Sequence, residues 1–175
     1  GNEDLSVYDE ENAPSDITSY TNIYGEIYSY DYNTGGVNTH QVKSVTKTSN
    51  GKTVKAEYTY DQYGNVTSTT VSNATGTKSA TTSTTYSNNG NYVASITDAN
   101  DITYEYLYDS ATNLLTMSKD GLDNTTRFTY DGKDRITGMF NDANGNGTKD
   151  SSESGVEYSY TNSGYLSEIE TANTA

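Results

Sequence analysis

Polar and aromatic positions alternate along this chain in short bursts, and no window sustains apolar residues at the three-and-four spacing of a helix face. The clearest bursts read aromatic, any residue, Tyr, Asp: Tyr28-Ser29-Tyr30-Asp31, Tyr58-Thr59-Tyr60-Asp61, Tyr106-Leu107-Tyr108-Asp109 and Phe128-Thr129-Tyr130-Asp131. Weaker copies stand at Thr84-Thr85-Tyr86-Ser87 and Tyr158-Ser159-Tyr160-Thr161, so the second aromatic position recurs at intervals of 22 to 30 residues. A fixed phrase at such a period marks a repeat protein with insertions. Residues two apart on a strand point to the same face, so each pair puts two rings side by side on one surface of a sheet. The Asp then accepts hydrogen bonds from the turn that follows, and Gly64, Gly90 or Gly164 supplies the left-handed backbone that turn needs. Apolar positions resume at Val66, Leu114 with Leu115, Ile136 and Leu166. One repeat is therefore one β-hairpin. The spacing predicts an all-β chain of repeated antiparallel hairpins in one curved, solenoid-like sheet, with almost no helix.

Composition changes this picture in two ways. Only 31% of the 175 residues are hydrophobic, with two Phe, two Met and no Trp, whereas Tyr occurs 18 times. Phenol rings must supply most of the burial, and rings stacked on one sheet suit that better than a closed sandwich. Cross-strand pairs contribute about 0.2–1 kcal/mol each, so several repeats have to stack before the sheet holds. The net charge of −14 argues against a nucleic-acid partner, because a polyanion needs a basic stripe and ten basic residues scattered along the chain form none. No apolar run is long enough for membrane insertion, and the absence of Cys excludes a disulfide scaffold. Residues 1–22 hold Glu3, Asp4, Asp9, Glu10, Glu11 and Asp16, no Lys or Arg, and the only Pro. They read as an acidic linker or irregular leading segment. Residues 23–175 read as the repeat domain.

The 30-residue step between Tyr130 and Tyr160 carries an insertion at 141–154, which contains a twelve-residue stretch with the order of a calcium loop. Asp142, Asn144 and Asn146 fall on its first, third and fifth positions, with Gly147 at the sixth. Thr148 would offer its carbonyl, Asp150 follows, and Glu153 takes the bidentate twelfth position. A hard cation takes six to eight oxygens, and alternate residues of a tight loop point inward to provide them. The loop resembles those of EF-hands and dockerins, with strands in place of helices on either side. With three carboxylates the expected affinity is weak, about 10⁻⁴–10⁻³ M. The alternative is a solvated Asn/Asp/Gly insert that binds nothing.

Catalytic chemistry finds little purchase. His40 is the only His and lies in a turn-like stretch after Gly35-Gly36, with no nucleophile elbow anywhere. Gly-rich segments lack the Lys and helix of a phosphate loop. With 24 acids, no particular carboxylate pair stands out as a hydrolase dyad. The expectation is a protein that is not an enzyme.

The run Tyr60-Asp61-Gln62-Tyr63-Gly64-Asn65-Val66 resembles the tyrosine-aspartate (YD) or rearrangement-hotspot (RHS) repeats. Tyr130-Asp131-Gly132-Lys133-Asp134-Arg135-Ile136 is a second match, with Asp134 where that family has Gly. The resemblance covers roughly residues 24–170. It implies a spiralling β-sheet, which in large relatives such as teneurins and insecticidal toxin complexes closes into a hollow shell. About six units are too few to enclose anything, so the resemblance implies a section of a larger secreted or cell-surface bacterial scaffold, flanked by other domains. Two alternatives stay open. In one, the module binds carbohydrate through exposed rings, with Tyr63, Tyr92, Tyr104 and Tyr165 as candidates. In the other, exposed sheet edges associate with each other.

Overall fold

The computed structural model describes residues 5–9, 13–87 and 89–172. Among them are fourteen strands and no helix: β1 Leu5–Asp9, β2 Ala13–Thr21, β3 Ile27–Tyr32, β4 Val42–Ser49, β5 Lys52–Tyr60, β6 Val66–Asn73, β7 Ser79–Tyr86, β8 Val93–Thr97, β9 Thr103–Tyr108, β10 Leu115–Lys119, β11 Thr125–Tyr130, β12 Ile136–Asn141, β13 Gly155–Tyr160 and β14 Leu166–Ala172. They form one open antiparallel sheet whose strand order is the chain order. Residues 5–21, expected as a linker or irregular leading segment, supply β1 and β2, whose pairing carries register shifts on either side of Tyr8. Glu3, Asp4, Glu10 and Glu11 of the acidic stretch lie outside the described residues.

The chain divides into two compact units, Gly1–Tyr92 with Thr97–Asp101, and Val93–Ile96 with Ile102–Ala175. In the first unit β1 to β7 pair in succession. In the second, β9 to β14 do the same. Alternation places the rings as expected: in β3, Tyr28, Tyr30 and Tyr32 are half-buried while Ser29 and Asp31 are exposed. Tyr58 with Tyr60, Tyr106 with Tyr108, Phe128 with Tyr130, and Tyr158 with Tyr160 are likewise half-buried on either side of an exposed residue. Among the described residues Phe140 is the buried hydrophobic side chain, at 4% exposure.

The hairpins of Tyr32, Tyr60, Tyr108, Tyr130 and Tyr160 close on a β-bulge. Tyr60 opposes Val66 and Thr59 opposes Ser68, so Thr67 is an extra residue on the returning strand. The same two-against-one step leaves Lys43, Thr116, Thr137 and Ser167 extra in the hairpins of Tyr32, Tyr108, Tyr130 and Tyr160. An extra residue breaks the alternation of faces once, so it has to tolerate solvent, and all five are polar. Two of them bond to a hydroxyl across the hairpin, Thr67 to Thr59 at 2.8 Å and Thr137 to Thr129 at 3.0 Å.

The ring-on-ring stacking expected from sequence is represented by Tyr20 and Tyr28, whose centroids lie 6.0 Å apart. What recurs in repeat after repeat is a hydroxyl bond. The closing Tyr of a hairpin donates to the backbone carbonyl of a residue in an earlier strand: Tyr60 to Val42 at 2.6 Å, Tyr86 to Val66 at 2.9 Å, Tyr130 to Leu115 at 2.9 Å and Tyr160 to Ile136 at 2.8 Å. In these four the acceptor is the first residue of a returning strand. Tyr32 does the same to Ile17 at 2.9 Å. Burial pushes the hydroxyls of Tyr32, Tyr60 and Tyr130 above the usual phenol range, as expected of donors withdrawn from water.

The first repeat corrects the sequence reading. Its closing Tyr is Tyr32, two residues beyond Tyr30, because Tyr32 makes both the bulge pairing to Val42 and the hydroxyl bond. The backbone of Asn33 then does what Asp61 does two strands later: Asn33 N donates to Gln41 O at 2.9 Å and Asn33 O accepts from His40 N at 3.0 Å. Asp31 is left on the exposed face, 3.7 Å from Lys43.

Tyr60→Phe removes one such hydroxyl bond and is expected to lower unfolding stability by about 1 kcal/mol. Tyr58→Phe, whose ring shares the face without that bond, should leave the urea midpoint within error. Equal midpoints for the two variants would show that the hydroxyl bond carries no net stability.

Candidate functional site: the turns and the 142–153 loop

The turns repeat as faithfully as the strands. In Asp61-Gln62-Tyr63-Gly64-Asn65, Asp61 N donates to Asn65 O at 2.9 Å and Gly64 N to Asp61 O at 3.2 Å. The Asp61 carboxylate fills the space inside, its Oδ1 accepting from Tyr63 N at 2.8 Å and Asn65 N at 2.9 Å. Asp131 repeats this with Lys133 and Arg135, Asp120 with Leu122 and Asn124, and Asn22 with Tyr24 and Glu26. Asp109 holds a looser version through Ala111 and Thr112. In the tight turns the fourth residue has positive φ: Gly25, Gly64 and Gly164, but also Asp101, Asp123 and Asp134 at 61–65°, whereas in the looser Asp109 turn the fifth residue, Asn113, takes that conformation. Asp tolerates that region better than most residues with a Cβ. The Asp134 departure from the repeat pattern is thus accommodated.

These carboxylates carry lowered proton affinities. Arg135, whose Nε lies 2.7 Å from Asp131 Oδ2, pulls Asp131 down to about 2, aided by the amides of Lys133 and Arg135. The amide and hydroxyl of Thr112 lower Asp109, and the Asn124 side chain lowers Asp120. For Asp61 burial works upward, and the Asn65 side chain with the amides of Asn65, Tyr63 and Gly64 outweighs it.

Sequence reasoning missed that turns touch one another. Asn38 Nδ2 donates to Asp61 O at 3.0 Å and Gln41 Nε2 to Gly64 O at 3.3 Å. Asn65 Nδ2 donates in turn to Gly90 O at 2.6 Å. Arg135, in the position of Asn65, lies over the Tyr160 ring at 4.2 Å. The residue between the left-handed turn position and the returning strand is the signal, since it is polar at both 65 and 135.

The four candidate ligand tyrosines are exposed to different degrees: Tyr63 56%, Tyr92 37%, Tyr104 38% and Tyr165 75%. Tyr63 and Tyr92 belong to the first unit, Tyr104 and Tyr165 to the second. Tyr63 lies against Gly90 so closely that a Cβ there would collide with its ring, and a Cβ on Gly121 would come 3.4 Å from Tyr104. One face of Tyr63 is therefore already covered by the next turn. Its surroundings form an open groove with Gln62, Thr67, Ser83 and Thr85. His40 sits at φ 68° with Nδ1 2.9 Å from Asp16 Oδ2, a contact between a turn and β2.

In the 142–153 loop the structure brings together the sequence-predicted positions in a particular way. Asp142 is anchored by its amide to Thr125 O at 2.8 Å, and its side chain is fully enclosed. Asp142 Oδ2 accepts from Arg127 Nε at 2.7 Å and from Gly147 N at 3.1 Å. Its Oδ1 is buried with no hydrogen-bond partner. Arg127 first, and the Gly147 amide, hold this carboxyl below the ordinary Asp range against the upward pull of burial. Glu153, 4% exposed, ties the loop's two ends, accepting from Ala143 N at 2.9 Å and Asp150 N at 3.0 Å. Asn144 and Asn146 donate their amides to Asp150 Oδ2 at 2.6 and 3.0 Å. Asn146 Oδ1 accepts from the backbone and hydroxyl of Thr148. Among the described residues no three acidic or His side chains gather as a metal cluster. The fit to calcium is partial: the donor types are right for a hard cation and one enclosed carboxylate oxygen is unclaimed, while N–H donors occupy the other Asp142 oxygen and both Glu153 oxygens.

No family model matches this chain, and no curated protein matches it either. Among solved structures it is similar to the crystal structure of TcdB2-TccC3, at 15% identity and a TM-score of 0.36 over 98% of this chain and 12% of that one. The TcdB2-TccC3-Cdc42 crystal structure gives 14% identity and 0.34, over 96% and 11%. TcdB2-TccC3 without its hypervariable C-terminal region gives 15% and 0.35, over 96% and 11%. The chain thus spans about an eighth or less of the chains it matches.

A lowered folded-state pKa gives stability that is complete above the unfolded value of about 3.9 and is lost as pH falls through the folded value. With Asp131 at about 2 and Asp61, Asp109 and Asp120 also lowered, the melting temperature is expected to drop between pH 5 and pH 2. Changing these four to Asn keeps each Oδ1 acceptor and should flatten that drop. An unchanged slope would remove the turns from the acid response.

Proposed function

We propose that this chain is a non-catalytic structural module, a section of a longer YD-type repeat scaffold on a bacterial cell surface or in a secreted assembly. The observation that carries this reading is the use made of the repeated residues: the closing Tyr hydroxyls and the turn Asp carboxylates bond to the protein's own backbone. Groups so engaged stiffen a sheet and are not free for a substrate. Flanking domains of the parent protein are the partners that such a strip would hold apart. Calcium at 142–153 is a further part of the proposal, supported by the order of oxygen-bearing residues and by the unclaimed Asp142 oxygen. Binding to the folded chain alone would brace it by linkage.

The groove beside Tyr63 supports a second reading as a carbohydrate-binding surface, since an exposed ring there stands next to hydroxyl and amide side chains. Its weakness is the ring face already covered by Gly90.

The two readings separate in one pair of measurements. Placed between two fluorescent domains, the module is expected to give a single narrow energy-transfer efficiency that holds from low to high salt, and a glycan array is expected to show no binding. A broad, salt-dependent distribution would overturn the scaffold reading. Array binding abolished by Tyr63→Ala would establish the carbohydrate reading instead.

A further inference from the structure

We propose that Arg127 is a built-in competitor of the ion at the 142–153 loop: its guanidinium neutralises Asp142 and closes the loop without a metal, so that calcium binds only against that fixed charge. The inference rests on the calcium reading of the loop and concerns what regulates it. Arg127 comes from β11, outside the loop, and its Nε stands 2.7 Å from Asp142 Oδ2. The Asp142 side chain is completely enclosed, and an enclosed carboxylate without a positive partner is costly. A guanidinium cannot shed its proton, so it serves as a permanent single charge at this seat.

The loop is shaped around it. Gly147, the residue at the bend, has φ 79°, and a Cβ there would come 3.9 Å from Arg127 Cζ, so the guanidinium runs close beneath the bend. Gly147 N bonds to the same Asp142 oxygen as Arg127, at 3.1 Å. The carboxylate's other oxygen is enclosed and unclaimed. A divalent ion taken up by Asp142 would therefore lie within a few ångströms of Arg127, and like charges at that distance oppose each other strongly where water is excluded. Removal of the guanidinium would leave a cation as the natural partner of the buried carboxylate. Arg127 thus stands as an internal cation at Asp142, with calcium as its rival.

The test is titration of the full chain with calcium chloride after dialysis against chelator, followed by calorimetry, with melting curves recorded in chelator and in millimolar calcium. Arg127→Met keeps much of the side-chain stem and removes the charge. It is expected to bind calcium tenfold or more tightly than the parent chain, on the order expected for losing a nearby like charge. It should also melt lower in chelator and recover more of its melting temperature with calcium. Arg127→Lys keeps the charge and should stay near the parent affinity. Arg127→Gln serves the same comparison if the Met variant fails to fold. A parent chain that binds calcium alongside a charge-removed variant that binds no tighter overturns the competition and leaves the calcium reading standing. Equal tightening by Lys and Met also overturns it, because charge would not be the cause. Absence of binding in every variant removes the calcium reading, and the competition with it.

Discussion

A sheet built from Thr, Ser, Asn and Tyr has little apolar surface to bury, so its coherence depends on what the tyrosine hydroxyls do. Tyr32, Tyr60, Tyr86, Tyr130 and Tyr160 lie half-buried along the sheet and donate to a carbonyl in an earlier strand. The ring supplies apolar contact and its tip satisfies a backbone acceptor. Phe would supply only the first. At about 1 kcal/mol net for each bond, the sum over repeats is comparable with a substantial part of a small domain's stability. That gives Tyr an advantage over Phe at five of the 18 Tyr positions.

The turn carboxylates explain another compositional oddity. Asp61, Asp120 and Asp131 each accept from two backbone amides within a five-residue turn, and Asp101, Asp123 and Asp134 occupy left-handed positions in such turns. Much of the excess of 24 acids over ten basic residues therefore does local architectural work. Part of the chain's acidity is a consequence of how it turns corners. It need not point to a cationic partner.

Much of this architecture was legible in the sequence because its signals are local. Strand, turn Asp and left-handed Gly lie within a few residues of each other, and the hairpin period follows from them. The register of the first repeat was not legible: Tyr28, Tyr30 and Tyr32 alternate on one strand, and only the bulge opposite Val42 selects Tyr32 as the closing residue. The contacts between turns were hidden for a different reason. Asn65 reaches Gly90 one repeat on, but its side chain gives no sign of its partner, and Arg127 reaches Asp142 across 15 residues, an interval outside the repeat period. In the 142–153 loop the order of oxygen-bearing residues could be read directly, but a cation from a neighbouring strand could not.

The span of these hydroxyl and turn contacts has an evolutionary consequence. Tyr86 refers to the strand begun at Val66, and Asn65 to the turn at Gly90, and neither bond depends on anything farther along the array. Unequal crossing-over that drops or doubles one whole hairpin unit would create a single new seam. Gene length in such an array is therefore free to drift by whole units under weak selection, whereas an insertion of one residue within a bulged hairpin would turn a row of rings toward solvent.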